Sequence, residues 1–480
     1  MTSRKSQIEA EIIPPIPFVT PSNGEFSPLS PSPRALRAQA LWQRQVEDKH
    51  RRLGMSRRQF AESACGVASA LWAINQAGCS SSGRDAAGYA IDDRMLEDED
   101  RARTLLSGDE FIFDVQTHVS DPLEPFNETM PPARALDFIK QIFVQSDTSV
   151  ACVSGIPQAR ALGIGNVEAR SLLSEIIERL AGPRLVLHAN ADPENGPAEL
   201  DYMSAVAESF RVAAWKVYPH QGSLLFDSEE LGAPFVERAR SLGVNVIAAH
   251  RGISTGGGYQ SAGSPRDIVR AAKAAPDVKF LVYHSGWESS HDENHGYDPD
   301  NIDPLGVDRL IRALSENGLG AADNVYAELG TTWFNLLGQP EQAAHVLGKL
   351  LQFLGPERIV WGTDCVFNGV PQSQIAAFRA FQIPESLQAE FGYPALSAEA
   401  KRRIFGLNGA EVYGIDPTSV RYSIADDDVD RLRAAFLDDP AAVPLPDPRT
   451  YEGPRTRRQF LALLRREKHE KELSRAGFRG

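Results

Sequence analysis

Eight short apolar runs pace the middle of this chain: residues 111–117 (FIFDVQT), 148–155, 184–189, 212–219, 244–249, 278–283, 324–329 and 358–363. Between them, apolar residues recur every three to four positions, as in 167–182, 234–243, 265–276 and 306–318. This alternation predicts strand–helix units, with Gly182, Gly243 and Gly318 where helix-ending glycines belong. Runs without polar alternation are buried on both faces, so the strands should be parallel and covered by helices. Eight such units predict an α/β chain with a (β/α)8 TIM barrel.

The flanks break the pattern. Residues 1–85 read as a disordered leader: the first 55 are rich in Pro, Ser and Arg. Then Met55-Ser56-Arg57-Arg58-Gln59-Phe60 precedes the mildly apolar stretch Ala61 to Gly78. A twin arginine before such a stretch resembles a twin-arginine export signal, with Met55 as an alternative start. That reading predicts a periplasmic or extracytoplasmic protein with the twin-arginine translocon as a partner. The alternative is an amphipathic helix in a cytoplasmic protein, because the same RRQF string recurs at Arg457–Phe460, where no leader can be. Residues 86–415 read as the barrel, and 416–480 as a helical extension with a Pro-rich link at 441–448.

Composition narrows the class. The 480 residues are 42% hydrophobic and 24% charged, with a formal charge of −14. The first 80 hold 10 Lys and Arg against 6 Asp and Glu, which leaves −18 on the remainder. An acidic body has no electrostatic reason to bind nucleic acid. No run of 18 apolar residues predicts a membrane span. The four cysteines are too scattered for a disulfide framework, so Cys152 and Cys365 should be free core thiols. Gly256-Gly257-Gly258 lacks the spacing of a dinucleotide-binding turn, and no phosphate loop occurs.

Polar side chains stand where the apolar runs stop: His118 after strand 1, His250 after strand 5, His284 after strand 6, Asp364 after strand 8. In a barrel, the C-terminal strand ends carry the chemistry. Gln116 and His118 share one face of their strand, the geometry of a ligand pair. Carboxylate and imidazole hold borderline metals and move protons near neutral pH. Lys216, His188, Glu328 and Trp287 are expected to contact substrate, with His220, Glu288, Trp333 and Phe334 on the rim. His291 and His295 lie in a polar, acidic loop suited to a lid.

The ordered set DVQTHV, AAHRG, VYHSGWE and VWGTDC resembles the amidohydrolase superfamily, in its amidohydrolase-related (amidohydrolase 2) branch, across roughly residues 110–415. The resemblance implies a divalent metal, Zn or Mn, held by Gln116, His118, His250 and Asp364, with His284 and Asp364 as catalytic proton carriers. The family's first strand carries His-x-His, and Gln116 stands at the first of these positions. An amide oxygen is a weaker donor than imidazole, so zinc affinity should fall. In binuclear relatives a strand 4 lysine bridges two metals; here Lys216 is expected instead to meet a substrate carboxylate or to pair with an acid at the barrel mouth. The implied activity is hydrolysis of an amide, ester or lactone in a small substrate. The alternatives are a carbon–carbon lyase or hydratase acting on an aromatic or unsaturated acid, and a metal-free barrel serving as a binding protein. The expected partners are a small-molecule substrate and a second copy of the chain.

Overall fold

The structure is a computed structural model. It describes residues 12–23, 26–28, 30–78, 88–119, 132–155, 175, 178–219, 225–253, 263–321, 323–439, 443, 456–462 and 465. His220 and the glycine cluster at 256–258 lie outside the described residues.

All eight predicted strands form: β1 Phe113–Thr117, β2 Val150–Val153, β3 Leu185–Asn190, β4 Ala214–Val217, β5 Val246–His250, β6 Lys279–Tyr283, β7 Val325–Glu328 and β8 Ile359–Val360. They pair in sequence order, every pair parallel. β8 returns to β1 through Val115 N–H to Trp361 O at 3.0 Å and Asp364 N–H to Gln116 O at 2.9 Å. The ring of strands is thereby a (β/α)8 barrel. Gly182, Gly243 and Gly318 take left-handed φ of 65°, 70° and 69°, as their helix-ending positions require.

The barrel interior is filled from both ends. Phe113, Val115, Cys152, Ala248, Leu281, Tyr283 and Val360 pack inside it, and Tyr413 enters from the helix Asn408–Tyr413. The helices outside bury their own apolar faces; Pro340–Leu354, for example, buries Val346, Leu347, Leu350 and Leu354. Cys65, Cys152 and Cys365 are buried free thiols.

The N-terminal stretch departs from the disordered leader expected of it. Three helices form: α1 Pro33–Arg52, α2 Arg57–Glu62 and α3 Ala64–Gly78. Trp42, Phe60, Leu71 and Ile74 are at most 1% exposed and belong to the same apolar cluster as the outer barrel helices. The first amides of α3, Ala64 and Cys65, donate to the Glu99 carboxylate at 3.0 and 3.1 Å. Glu99 opens a fourth helix, α4 Glu99–Leu106. Composition alone concealed this, because small residues such as Gly66 are what allow close approach. A Cβ at Gly66 would lie 2.0 Å from the Phe60 carbonyl oxygen.

The two RRQF strings have one local cause. Ser56 and Gln59 form a capping box at the start of α2, and Thr456 and Gln459 repeat it at the second copy. Phe60 and Phe460 are both buried immediately after it. The motif S/T-x-x-Q is legible as a helix start. In the first copy, Arg57 pairs with Glu47 and Arg58 with Glu62. In the C-terminal extension, helix Pro417–Ile424 is followed by helix Asp428–Asp438, which docks through Arg184 on its capping Asp427 and through Arg433 on Asp147.

Candidate active site

The register of β1 on β2 shifts between Asp114 and Thr117, so strict alternation does not hold there; Asp114, Gln116 and His118 are all buried, and Gln116 and His118 both meet Asp364. Asp364 follows β8 and is 0% exposed. The Asp364 carboxylate gathers four donors. Oδ1 accepts Gln116 Nε2 at 3.0 Å and faces His118 Nε2 at 3.0 Å. Oδ2 accepts Thr331 Oγ1 at 2.5 Å and Asn23 Nδ2 at 3.1 Å. His118 Nδ1 lies 3.1 Å from the Ser154 carbonyl, so that nitrogen carries the proton. Its ring stacks on Phe367 with centroids 4.5 Å apart.

Beside this group, His284 and His250 pair, Nε2 to Nδ1, at 3.2 Å. His284 Nδ1 donates to the Gly330 carbonyl at 2.6 Å, which leaves a lone pair on Nε2 when the ring is neutral. Glu328 closes the cluster from below: its carboxyl accepts the backbone N–H of His284 at 3.0 Å and of Gly330 at 2.5 Å. His284, Ser285, Thr331 and Asp364 all have left-handed φ, between 55° and 67°. Non-glycine residues hold such angles only where the surroundings enforce them, and here they cluster at the ends of three strands.

Electrostatics separates the acids. Burial works to raise the Asp364 pKa, but the His118 hydrogen bond and charge, then His284 and Thr331, hold its carboxyl well below the usual range. Glu328 is pushed up to about 8 by burial, against its two backbone donors. Asp114 is pushed up to about 7 by burial, although the Thr363 hydroxyl and two backbone N–H groups favour its charged form. Burial lowers His284 to about 4, with Asp364 acting in the opposite sense. At neutral pH the cluster therefore holds one firm anion, a neutral imidazole and a protonated Glu328.

The other expected contacts divide. Lys216 lies inside the barrel, its Nζ 3.6 Å from the Tyr283 ring centroid and 4.6 Å from that of Tyr218. His188 is not the last residue of β3, which runs on to Asn190. It sits between Ser154 Oγ at 2.7 Å and the Tyr413 hydroxyl at 2.8 Å. Trp287 is 2% exposed, its carbonyl accepting Ile253 N–H at 2.7 Å. Glu288 pairs with Arg309 at 2.5 Å. Trp333 and Phe334 are core residues of the short helix Thr332–Leu336; Trp333 meets Phe378 and Phe381 edge-on. The His291–His295 loop is pinned by Lys349, which reaches Glu293 at 2.7 Å and Asp308 at 2.6 Å. Sequence reasoning passed over Asn23, Ser154, Thr331 and Asn368. Thr331 follows a strand end and was findable on that ground, whereas nothing in the Pro/Ser-rich stretch distinguishes Asn23.

The donors suit a divalent cation in two respects. His118 Nε2 and Asp364 Oδ1, an imidazole nitrogen and a carboxylate oxygen, face each other at 3.0 Å, and both are donor types that hold zinc. Gln116 Oε1 is buried and has no hydrogen-bond partner among the described residues. Against this, no group of three or more His, Cys, Asp or Glu among the described residues is arranged to hold a metal. The donor types fit; the strong ligands number two, supplemented by Gln116 Oε1 and His250.

A family model described as Amidohydrolase matches residues 160–415, just over half of the chain. The protein belongs to this amidohydrolase family. Its members are mostly enzymes, hydrolases and decarboxylases among them, and bind a divalent metal such as zinc. No curated protein matches the sequence. Among solved structures, 5-carboxyvanillate decarboxylase from Sphingomonas paucimobilis is similar at 14% identity and a TM-score of 0.40, over 64% of this chain and 100% of that one. A 2,6-dihydroxybenzoate decarboxylase from Rhizobium gives 13%, 0.41, 64% and 99%. An amidohydrolase from Burkholderia multivorans with bound zinc gives 14%, 0.39, 64% and 100%.

Proposed function

We propose that the protein is a metal-assisted hydrolase acting on an amide, ester or lactone bond of a small substrate. The observation that carries this reading is the buried pair of His118 Nε2 and Asp364 Oδ1, 3.0 Å apart, beside a neutral His284 at the C-terminal end of the barrel. His118, Asp364, His250 and the Gln116 amide oxygen would hold the cation. Such an ion lowers the pKa of water and polarises a carbonyl.

The remaining work falls to the chain. His284 is the proton acceptor: the Gly330 carbonyl fixes its tautomer, and burial keeps Nε2 unprotonated at neutral pH. His250 Nδ1, 3.2 Å from that atom, holds the ring in place. Asp364 stays ionised and orients Gln116, His118 and Thr331 around itself. The closed, buried setting excludes water that would compete for these bonds.

The test is metal analysis of the purified protein and of His118→Ala and His250→Ala, with a panel of amides, esters, lactones and aromatic carboxylates. Metal at full occupancy in both variants would remove the proposed ligands. Release of CO2 without hydrolysis would replace this reading with the lyase one.

A further inference from the structure

Three of the four donors on Asp364 come from the barrel: Gln116, His118 and Thr331. The fourth, Asn23, comes from the far N-terminal stretch. Ser22 and Asn23 are both 0% exposed, although they lie in the polar sequence PSNGEFSPLSPSP. Asn23 Nδ2 donates to Asp364 Oδ2 at 3.1 Å and lies 3.4 Å from Thr331 Oγ1. Asn368 Nδ2 completes the group on Thr331 Oγ1 at 2.9 Å. A side-chain carboxamide is thus seated on the carboxylate at the centre of the site.

The stretch that delivers it is tethered on both sides by other means. Upstream, Ile16 is buried, and Phe18 packs on Trp42 of α1 with centroids 6.1 Å apart. Downstream, the Ser22 hydroxyl donates to the Phe26 carbonyl, Phe26 is buried, and Ser32 caps α1. Ile16, Phe18, Phe26 and Ser32 hold the segment on either side of Asn23.

We propose that the N-terminal segment is an intramolecular occupant of the site: the Asn23 carboxamide stands where a ligand's N–H donor binds, and ligand and segment compete for Asp364 and Thr331. The proposal rests on the hydrolase reading only for the site's location, and it specifies the ligand's chemistry. A displacing molecule that returns a donor to Asp364 Oδ2 replaces the bond it breaks, whereas one without a donor leaves that buried oxygen with Thr331 alone, one hydrogen bond short. Primary carboxamides return such a donor. Esters and lactones have no N–H and do not, a difference that sites built for a donor convert into large discrimination.

The test uses full-length protein and reads binding, not turnover. Asn23→Ala removes the carboxamide and leaves the tether. Acetamide, at millimolar concentration, is expected to raise the melting temperature of Asn23→Ala in a saturable manner. Wild type should shift at least 10-fold less at the same concentration, and methyl acetate should shift neither. Equal responses of the variant and wild type, or equal responses to acetamide and methyl acetate, would overturn the proposal. Asn23→Asp supplies a second route should the alanine variant not fold, because it opposes a carboxylate to Asp364. Hydrogen exchange is then expected to rise at residues 22–23 while residues 16–18, held by Ile16 and Phe18, and the strands stay protected; unchanged exchange at 22–23 would equally overturn it. Rescue by acetamide without hydrolysis of any amide leaves the occupant in place and sinks the hydrolase. Hydrolysis without rescue does the reverse.

Discussion

Gly362→Ala tests how tightly the site's supporting acid is held. A Cβ at Gly362 would fall 1.7 Å from Glu328 Oε1, 2.8 Å from its Cδ and 3.2 Å from Gln116 Cβ. Glu328 cannot step aside cheaply. It is 0% exposed, and its two oxygens accept the N–H of Gly330 at 2.5 Å and of His284 at 3.0 Å. Displacing the carboxyl orphans at least one buried amide, which costs about 1–3 kcal/mol. Overpacking adds about 1–3 kcal/mol more. The expected loss is therefore roughly 2–6 kcal/mol, from a single methyl group. Gly318→Ala is the control: its φ of 69° is left-handed, but nothing lies within 4 Å of the added Cβ. That variant should lose about 1 kcal/mol through backbone strain alone. Urea unfolding followed by tryptophan fluorescence compares the two. If Gly362→Ala costs no more than Gly318→Ala, the packing argument around Glu328 is refuted, and with it the idea that Glu328 fixes the His284 backbone.

Further outcomes are expected. Gln116→His restores an imidazole beside Asp364 and should tighten metal binding roughly 10- to 100-fold, read by competition with a chelator; unchanged affinity would remove Gln116 from the ligand set. Glu328 has its folded pKa raised from 4.5 to about 8, so the stability it contributes is fully present below pH 4.5 and is lost as pH rises through 8. That shift corresponds to roughly 4–5 kcal/mol between protonation states, and Glu328→Gln should flatten the pH dependence of the urea midpoint across this window. Removing residues 1–80 strips Trp42, Phe60, Leu71 and Ile74 from the shared apolar cluster. At about 1.5–3 kcal/mol for each buried side chain, the sum rivals the whole stability of a domain, and the remainder should be insoluble. A stable, soluble product would favour the twin-arginine reading, in which this segment is lost on export.

The chain by itself determined the barrel and most of the cluster. Eight unalternating apolar runs left the parallel strands few other arrangements, and strand ends gave His118, His250, His284 and Asp364 without reference to space. Periodicity is local, so a strand's existence and its final residue are written in the few positions around it. Partners are not local. Only the tertiary structure seated Asn23 on Asp364, 341 residues away, and turned the Gln116 amide nitrogen towards that carboxylate. The fold also drew His188 into the barrel with Ser154 and Tyr413, and placed Trp333 in the core. It gave the N-terminal helices a surface to bury against, which composition had no means of revealing. Which acid is ionised was likewise decided in three dimensions. Glu328 and Asp364 are both fully buried carboxyls, yet one is pushed up to about 8 and the other held far down. The difference lies in the donors and charges that the fold assembles around each.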